Sequence, residues 1–434
     1  MASLASTAAD PRTEPIDLTD PSLYANGNPH ERFRELREQR PVHWHGPVDL
    51  PSNMDAAGAR SDGFWAVLGH AEITEVNRDW ERFRAADGPT LVAFPPQMRG
   101  TALIWMDPPD HTRLRKLVSA GFTPRMLRRL DELLVRRADR ILDAAAEREE
   151  FNFVSEVAYQ LPMHVIADII GIPEEERPHV FELTDRMLKG LDIASSVTPE
   201  QGQQARVDLF TYAEKLSARK QIEPADDVWT ELTQASVQAQ DGSRTTLQKQ
   251  ELDFFFIILA IAGSETTRNA ISQGLVALLE HPDQLAELRA DPGLLDTAVE
   301  EIIRWSSPVL YFGRTAEVDA VIGGAEIRAG ERVTLWYPAG NRDERAFADP
   351  YRFDIRRTPN PHVSFGGGGA HYCLGANLAK REVQVMIRAL VTRFASIELT
   401  GPPVWGGGGA AVNVGVCLNE LPVRLRAGSG ASVT

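Results

Sequence analysis

Helical periodicity dominates the pattern of apolar and polar positions along the chain. Apolar residues recur at intervals of three and four over nine long segments, which predicts helices with one buried face. Several ends are marked by proline, and Thr123 before Pro124 is a hydroxyl cap in front of a first-turn proline. The predicted helices are 31–39, 122–148, 160–170, 180–191, 201–221, 248–279, 282–290, 294–305 and 375–394.

Strand-like alternation is sparse and short. The candidates are 41–44, 64–68, 314–317, 321–324, 332–336, 397–399 and 421–425. No repeat and no regular alternation of strands with helices occurs, so the expected fold is mainly α with small β-sheets. A run of four glycines at 406–409 is predicted to be a loop.

Composition agrees with an ordinary globular enzyme, and although length alone would suggest two or three domains, no break in composition divides the core. The 434 residues are 43% hydrophobic and 25% charged, enough to bury a large core, and no Ser/Gly linker divides it. The expected division is a disordered tail at 1–16, one domain at 17–426 and a flexible tail at 427–434. A net charge of −15 disfavours nucleic acid as a partner.

The chain has few cysteines and no long apolar run. Two cysteines argue against a disulfide framework and favour a reducing cytoplasm. The first residues contain no apolar core of a signal peptide. The longest apolar run, 254–262, is too short to span a bilayer. We therefore expect a cytoplasmic protein without a membrane span, and a monomer.

Cys373 carries the most specific chemical signal. It follows the glycine run Gly366 to Gly369, where the lack of Cβ atoms lets the backbone turn tightly and approach a flat group. A helix-like segment begins at Ala376, so the dipole and free N–H groups of a helix N-terminus would stabilise a thiolate. Such a thiolate suits an axial ligand of haem iron. A buried structural cysteine is the alternative.

The spacing Phe, Gly, Gly, x, Gly, x, His, x, Cys, x, Gly resembles the haem-binding loop of the cytochrome P-450 superfamily. The phenylalanine lies one residue further from the cysteine than in the commonest pattern, a form similar to that of the actinobacterial steroid-oxidising branch. The resemblance extends over nearly the whole chain, from about residue 16 to residue 425. It implies a single-domain P-450 fold with a long central helix over heme b, Cys373 as iron ligand, and Phe365, Gly366, His371 and Gly375 beside the cofactor.

A second motif interrupts the most apolar predicted helix with a glycine, an acid and hydroxyls. Glycine there costs about 1 kcal/mol relative to alanine, and a broken local rule in a buried element often marks function. Gly263 would open a notch for a diatomic ligand, Thr266 would bond its distal oxygen, and Glu265 would relay protons. Alternatively the helix bends at Gly263 and Thr266 bonds a carbonyl one turn back.

This stretch resembles the oxygen-activating helix of the same superfamily. The resemblance implies that Glu265 and Thr266 are catalytic and that Ala262 and Gly263 contact the cofactor.

Cationic side chains occur at positions that match the family's contacts to the haem propionates. Asp107 opens a helix on which His111 and Arg115, four apart, share a face. Buried carboxylates need cationic donors, and the arginine fork can bind both oxygens. The resemblance adds Arg314 and His371 to this set. Taken singly, each of these residues could instead be a solvated surface charge.

Glu301 and Arg304 lie three apart on one helix face. A surface ion pair of a few tenths of a kcal/mol is the ordinary interpretation. The family resemblance implies instead a buried pair joined by Arg357, which fits the spacing better than Arg356. Buried charges must satisfy one another, so this trio is expected to be structural.

The segment from Arg113 to Arg129 contains six basic residues and no acid, in a strongly acidic chain. With Lys380 and Arg381 it would form a docking patch for an acidic ferredoxin, and a solvated basic face is the alternative. The six are Arg113, Arg115, Lys116, Arg125, Arg128 and Arg129.

The expected function is haem-thiolate monooxygenation. The resemblance implies activation of O2 and hydroxylation or epoxidation of an organic substrate, with electrons from NAD(P)H through ferredoxin and ferredoxin reductase. No dinucleotide fingerprint follows a strand, so the reductase would be another polypeptide. A bulky apolar substrate is expected, steroid- or terpenoid-like or a secondary-metabolite intermediate, with Ile258, Ala262, Val309 and Leu310 lining its pocket.

Two other functions stay open at this point. One is a peroxide-driven or dehydrating haem-thiolate enzyme, and the intact Glu265 and Thr266 argue against it. The other is a haem-binding sensor without turnover.

Overall fold

Thirteen α-helices and sixteen short strands form the described part of the chain. The structure, a computed structural model, describes residues 12, 15–49, 60–120, 124–190, 195–238, 244–406 and 416–427, without the side chains of 120, 124–129, 238 and 427. The helices are α1 (His30–Gln39), α2 (His70–Arg78), α3 (Asp110–Ala120), α4 (Pro124–Ala146), α5 (Gln160–Ile170), α6 (Arg177–Lys189), α7 (Pro199–Ile222), α8 (Val228–Gln234), α9 (Lys249–Glu280), α10 (Pro282–Ala290), α11 (Leu295–Ser306), α12 (Tyr337–Gly340) and α13 (Ala376–Arg393).

The strands are short and belong to several small sheets. They are β1 (Val42–His45), β2 (Val48–Asp49), β3 (Arg60–Ser61), β4 (Phe64–Val67), β5 (Phe83–Arg84), β6 (Phe151–Asn152), β7 (Ser236–Gln238), β8 (Arg244–Thr246), β9 (Tyr311–Ala316), β10 (Ala320–Ile322), β11 (Ala325–Ile327), β12 (Arg332–Trp336), β13 (Phe394–Leu399), β14 (Val404–Gly406), β15 (Cys417–Glu420) and β16 (Pro422–Ala427).

All nine predicted helices are present, with ends close to the predicted ones, and the mainly α fold class is confirmed. Sequence periodicity missed α2, α8 and the single turn α12. Helix α2 begins after Gly69, which supplies no side-chain cap, so its start carried no clear sequence signal. None of the helices that the structure describes is long and apolar enough to cross a membrane.

Helix α9 is the central element of the helical core. It runs for 32 residues and packs against α5, α7, α11 and α13. Side chains all round it are buried, as expected of a helix that is apolar on every face. Helix α13, which packs against α9, begins three residues after Cys373.

The largest sheet has five strands in the order β1-β4-β12-β9-β5. Strand β12 pairs in parallel with β4, with Val333 opposite Trp65, and antiparallel with β9, with Val333 opposite Arg314. This pairing fixes the buried Arg314 within the sheet, on the strand between β12 and β5.

Two described residues of the predicted tail at 1–16 contact the folded part of the chain. The Ile16 N–H donates to Trp44 O at 3.0 Å. Arg12 donates to Glu331 Oε1 at 2.8 Å, and its guanidinium lies 4.9 Å from the ring centre of Trp65. Ordered structure therefore starts before residue 17. The rest of that tail, the residues after 427 and the glycines at 407–409 lie outside the described residues, whereas Gly406 ends a strand rather than belonging to a loop.

An ion-pair group that is fully buried at Glu301 and Arg304 and partly buried at Arg357 braces the segment that leads to the glycine run. Arg304 donates to both carboxylate oxygens of Glu301 at 2.7 Å, and Arg357 Nε donates to Glu301 Oε2 at 3.1 Å. Arg304 Nη1 also donates to the carbonyl of Asn341 at 2.8 Å, and the amide of Asn341 donates to Ser364 Oγ at 2.8 Å. The three predicted residues therefore form one group, and hydrogen bonds connect it to the residue that opens the loop.

We expect Glu301→Gln to lower the free energy of unfolding by about 3–5 kcal/mol, because it leaves two buried guanidiniums without a counter-charge. Urea unfolding of the haem-bound protein measures this. Glu287→Gln is the matched control, since Glu287 pairs with Arg356 at the surface, where such a pair contributes less than about 1 kcal/mol. Equal losses in the two variants would contradict a structural role for the buried group.

Candidate active site

The glycine run forms a tight loop in front of α13. Gly366, Gly367, Gly368 and Gly369 have φ values of +96°, +66°, +115° and +81°, a region that other residues rarely adopt. A Cβ on Gly369 would lie 2.3 Å from the Asn77 carbonyl oxygen, so the loop also packs too closely on α2 for any side chain there.

Helix α2 holds the loop through hydrogen bonds to its carbonyls. Asn77 Nδ2 donates to Gly366 O at 2.6 Å, and Arg78 Nε donates to Gly367 O at 3.2 Å. The Cys373 N–H in turn donates to Phe365 O at 3.1 Å, which closes the loop at its far end. These contacts fix the position of Cys373 from two sides.

Cys373 is exposed, although protein surrounds it closely enough that burial raises the pKa of its thiol. The Gly375 N–H and the charge of Arg115 act in the opposite direction without overcoming burial. The N–H group at the start of α13 thus favours the thiolate, while burial opposes it more strongly. Coordination to a metal ion would supply the missing positive charge, because a coordinating thiol is deprotonated outright.

Four basic side chains gather beside Cys373: His111 and Arg115 from α3, Arg314 from β9, and His371 from the loop. The rings of His111 and His371 lie 4.3 Å apart, and the Nε2 atom of each is buried without a hydrogen-bond partner. Burial and the neighbouring arginines lower the pKa of His111 to about 4 and that of His371 well below its usual value. Burial also lowers the pKa of both arginines.

No carboxylate among the described residues forms an ion pair with any of these four side chains. Asp107 lies near Arg314 but accepts hydrogen bonds from the backbone N–H groups of Ala85 and Ala86, at 2.8 and 3.0 Å. The two arginines are partly or fully desolvated without a paired anion, and the two imidazoles each carry a buried nitrogen without a partner, both of which are unfavourable. The cluster therefore has the composition of a binding site for a dianion.

These residues fit haem b. The macrocycle needs a thiolate donor, two cationic anchors for its propionates and an apolar face on each side. Cys373 and the four basic residues provide the first two. Ala262 is exposed in the middle of otherwise buried α9, so a small apolar side chain faces open space on the helix that packs against α13. Gly375, by contrast, has no neighbour within 4 Å of a Cβ position, and its N–H rather than its missing side chain contacts Cys373.

Gly263 needs a correction. The sequence suggested that its missing side chain opens a notch for a diatomic ligand. A Cβ there would lie 2.5 Å from Ile166 Cδ1, so the space faces α5 instead. The glycine allows close packing of α5 on α9, and this packing explains its presence without a bound ligand.

Thr266 and Glu265 both make hydrogen bonds near the middle of α9. The Thr266 hydroxyl donates to Ala262 O at 2.8 Å, the one-turn-back contact considered above as the alternative. This donation leaves the hydroxyl lone pairs available as acceptors. Glu265 is buried and pairs with Arg268, and Cys417 Sγ donates to Glu265 Oε1 at 3.2 Å.

The predicted substrate-pocket residues divide into two groups. Ile258 keeps 8% exposure and Val309 is half-buried, on α9 and just before β9. Leu310 has no exposed surface, because it packs in a core cluster with Tyr311 and Trp336. Leu310 is therefore corrected from a pocket residue to a core residue.

The predicted basic patch is smaller than its sequence suggests. Arg113 pairs with Glu251, and Arg115 belongs to the buried cluster beside Cys373. Lys116 is exposed, and the side chains of Arg125, Arg128 and Arg129 lie outside the described residues. Beyond the cysteine, Lys380 pairs with Glu300 and Arg381 with Asp131.

Sequence reasoning missed two residues of the site. Asn77 bonds both Gly366 O and Arg314, whose Nη2 donates to Asn77 Oδ1 at 3.1 Å, so it links the basic cluster to the loop. Cys417 contacts the acid of α9. Asn77 was missed because it lies on α2, a helix that sequence periodicity did not predict. For Cys417, the only signal in the sequence was the rarity of cysteine.

Comparisons with known proteins agree with this geometry. A family model described as Cytochrome P450 matches residues 63–403. The chain is 40% identical over 397 residues to a steroid C26-monooxygenase of Rhodococcus jostii, covering 90% of this chain and 81% of that protein. It is 37% identical over 377 residues to a methyl-branched lipid omega-hydroxylase of Mycobacterium bovis, covering 86% of each.

The fold matches solved structures as well. The cytochrome P450 CYP268A2 of Mycobacterium marinum, in complex with pseudoionone, superposes with a TM-score of 0.84 at 37% identity, covering 97% of this chain and all of that one.

We expect Arg115→Gln to speed the loss of haem by about tenfold or more, because a hydrogen-bonded charge pair with a propionate contributes about 1.5–3 kcal/mol. Transfer of haem to apomyoglobin measures the rate. Lys116→Gln, which removes the exposed neighbouring charge, should retain haem like the parent protein. Equal rates for the two variants would show that Arg115 does not hold the cofactor.

Proposed function

The chain belongs to the cytochrome P450 family of haem-thiolate monooxygenases, whose members bind haem b, and we propose that Cys373 is the ligand of its haem iron. The observation that carries this proposal is the exposed sulfur at the end of a glycine loop, beside four basic groups without a protein anion. When bound, the haem supplies the iron at which dioxygen is reduced, and the thiolate favours cleavage of the O–O bond.

His111, Arg115, Arg314 and His371 would hold the propionates in this proposal. Their histidine Nε2 atoms and guanidinium groups point to no protein carboxylate among the described residues. In this proposal, the propionates supply the counter-charge that the cluster lacks. Loss of haem would therefore leave the basic groups unpaired.

Glu265 and Thr266 are the proposed proton-handling pair. The Thr266 hydroxyl donates a hydrogen bond to the carbonyl of Ala262. Its lone pairs are therefore available as acceptors beside the exposed Ala262 side chain. Glu265 holds or releases a proton one residue earlier on the helix. General acid–base groups of this kind typically contribute about 10²–10⁴-fold in rate.

We propose that the substrate is a bulky lipid hydroxylated at the end of a methyl-branched alkyl chain. The names of three similar proteins support this chemistry: a steroid C26-monooxygenase, a methyl-branched lipid omega-hydroxylase and a structure with pseudoionone. Position C26 of a steroid is a terminal methyl of its branched side chain, and pseudoionone is a terpenoid with methyl branches. The apolar side chains of Ile258, Ala262 and Val309 suit such a chain end.

Electrons are proposed to come from NAD(P)H through a ferredoxin and its reductase. The exposed Lys116 and the acid-free run of basic residues in the sequence from Arg113 to Arg129 support an acidic donor. The low cysteine count supports a location in a reducing cytoplasm.

Cys373→Ser should abolish the long-wavelength absorption band of the reduced CO complex that is typical of thiolate-bound haem. Cys417→Ser should keep the band, because it changes the other cysteine of the chain. A CO difference spectrum of the two purified variants is the measurement. Loss of the band in Cys417→Ser with retention in Cys373→Ser would refute the ligand assignment.

Thr266→Ala should divert electrons from product to hydrogen peroxide and lower the coupling of NAD(P)H use to product about tenfold or more, because the hydroxyl that would help to deliver protons is removed. Substrate affinity should stay unchanged. Thr267→Ala is the control, since Thr267 is the buried neighbour on the packed side of α9. Normal coupling in Thr266→Ala would exclude its catalytic role.

A matched substrate panel tests the proposed chain-end hydroxylation. A sterol with its branched side chain, the same ring system without a side chain, a methyl-branched fatty acid and a straight fatty acid are compared by binding spectra and product mass spectrometry. We expect the two branched compounds to bind and to gain a hydroxyl at the chain end. Preferred oxidation of the ring system without the side chain would refute this substrate class.

A further inference from the structure

The carboxylate of Glu265 belongs to a buried polar group that joins α9 to β15. Arg268 donates to Glu265 Oε1, and Cys417 Sγ donates to the same oxygen at 3.2 Å. Asn269 Nδ2 donates to Cys417 Sγ at 3.0 Å. The Cys417 sulfur therefore accepts a hydrogen bond from Asn269 and donates one to Glu265, both on α9.

The spacing along α9 explains how this group forms. Glu265, Arg268 and Asn269 lie at i, i+3 and i+4 and so share one face of the helix. Two turns beyond Glu265, Gln273 Nε2 donates to Val416 O at 3.0 Å, which fixes the backbone just before Cys417. Val416, just before β15, and Cys417, its first residue, are thus both hydrogen-bonded to α9. These two contacts fix the position of the Cys417 sulfur.

Both hydrogen bonds to the Glu265 carboxylate use Oε1, and neither occupies Oε2. A glutamate side chain has three rotatable bonds, and each must be held for the carboxylate to present one oxygen in one direction. Arg268 provides the strong contact, and the thiol adds a second contact from a different element. Two donors on one oxygen define the orientation of the other.

We infer that Cys417 is a positioning residue for oxygen activation: with Arg268 it holds Oε1 of Glu265, so that Oε2 is the atom that takes and passes the proton. This inference rests on the proton-handling role proposed above for Glu265. Cys417 does not contact the reacting atoms itself. It acts through the carboxylate.

Two further features support this assignment. Burial raises the pKa of Cys417 to about 12, so the sulfur keeps its proton and remains a donor throughout the neutral range. Three buried polar atoms nearby lack partners, the Tyr159 hydroxyl, Arg268 Nε and Asn269 Oδ1. Buried polar atoms of this kind are usually bridged by ordered water.

The first test compares Cys417→Ala, Cys417→Ser and Leu418→Val in the haem-bound enzyme. The alanine variant removes the donor, the serine variant keeps one, and Leu418 is a fully buried neighbour on β15 that controls for packing. We expect Cys417→Ala to lower coupling about two- to tenfold, as the loss of one hydrogen bond implies, and to raise the solvent isotope effect. Cys417→Ser should largely restore coupling, and Leu418→Val should match the parent. All variants should keep the reduced-CO band and the substrate affinity.

The double variant with Glu265→Gln decides whether the effect runs through the carboxylate. If Cys417 acts through Glu265, then adding Cys417→Ala to Glu265→Gln should change coupling no further. Additive losses, or normal coupling in Cys417→Ala while Glu265→Gln is uncoupled, would overturn the inference alone. Normal coupling in Glu265→Gln would overturn the proposed role of Glu265 itself.

An infrared measurement tests the hydrogen bond without turnover. With Cys373 bound as thiolate, Cys417 carries the one S–H group of the chain, because the sequence has two cysteines. Its stretching band should move to higher frequency in Glu265→Gln, since an amide oxygen is a weaker acceptor than a carboxylate. An unmoved band would refute the contact, and a second S–H band would show that Cys373 is not a thiolate.

Discussion

Buried charge has to be neutralised, and this requirement governs the three polar sites inside the helical core. At Glu301 the protein supplies both signs, and the carboxylate is held by Arg304 and Arg357 with no acceptor left over. Beside Cys373 the protein supplies cations alone, and the matching anions have to come with the cofactor. At Glu265 the charge is paired, yet one carboxylate oxygen is left out of both contacts. The three sites thus differ in how far the protein itself neutralises their charge. The first is structural, the second binds the cofactor in our proposal, and the third is proposed to handle protons.

Helix α9 connects these requirements because it is buried almost everywhere and polar only where chemistry needs it. Gly263 brings it close to Ile166 of α5, and the exposed Ala262 lies one residue away. One turn on from Ala262, Thr266 bonds back into the helix, while its neighbour Glu265 faces Cys417. One turn of helix therefore carries a packing face, an open face and a polar face. Their separation follows from the helical angle between neighbouring residues.

The sequence by itself determined the features that depend on local rules. Apolar spacing predicted the nine long helices, because a buried stripe on a helix must repeat at intervals of three and four residues. The glycine run before Cys373 predicted a tight loop, and all four glycines adopt the left-handed backbone that other residues avoid. The i, i+3 spacing of Glu301 and Arg304 likewise allowed their pairing to be anticipated, because both lie on one helix. These predictions needed no knowledge of what packs against each element.

The tertiary structure alone decided what each side chain faces. Periodicity shows that Leu310 is apolar and that Arg113 is charged, but only packing shows that the first is enclosed by the core and that the second pairs with Glu251. The same holds for Asn77, which reaches Gly366 across nearly three hundred residues of sequence, and for Cys417, which reaches α9 from the other end of the chain. Contacts between distant segments depend on how whole elements pack, and a linear pattern carries no record of that packing.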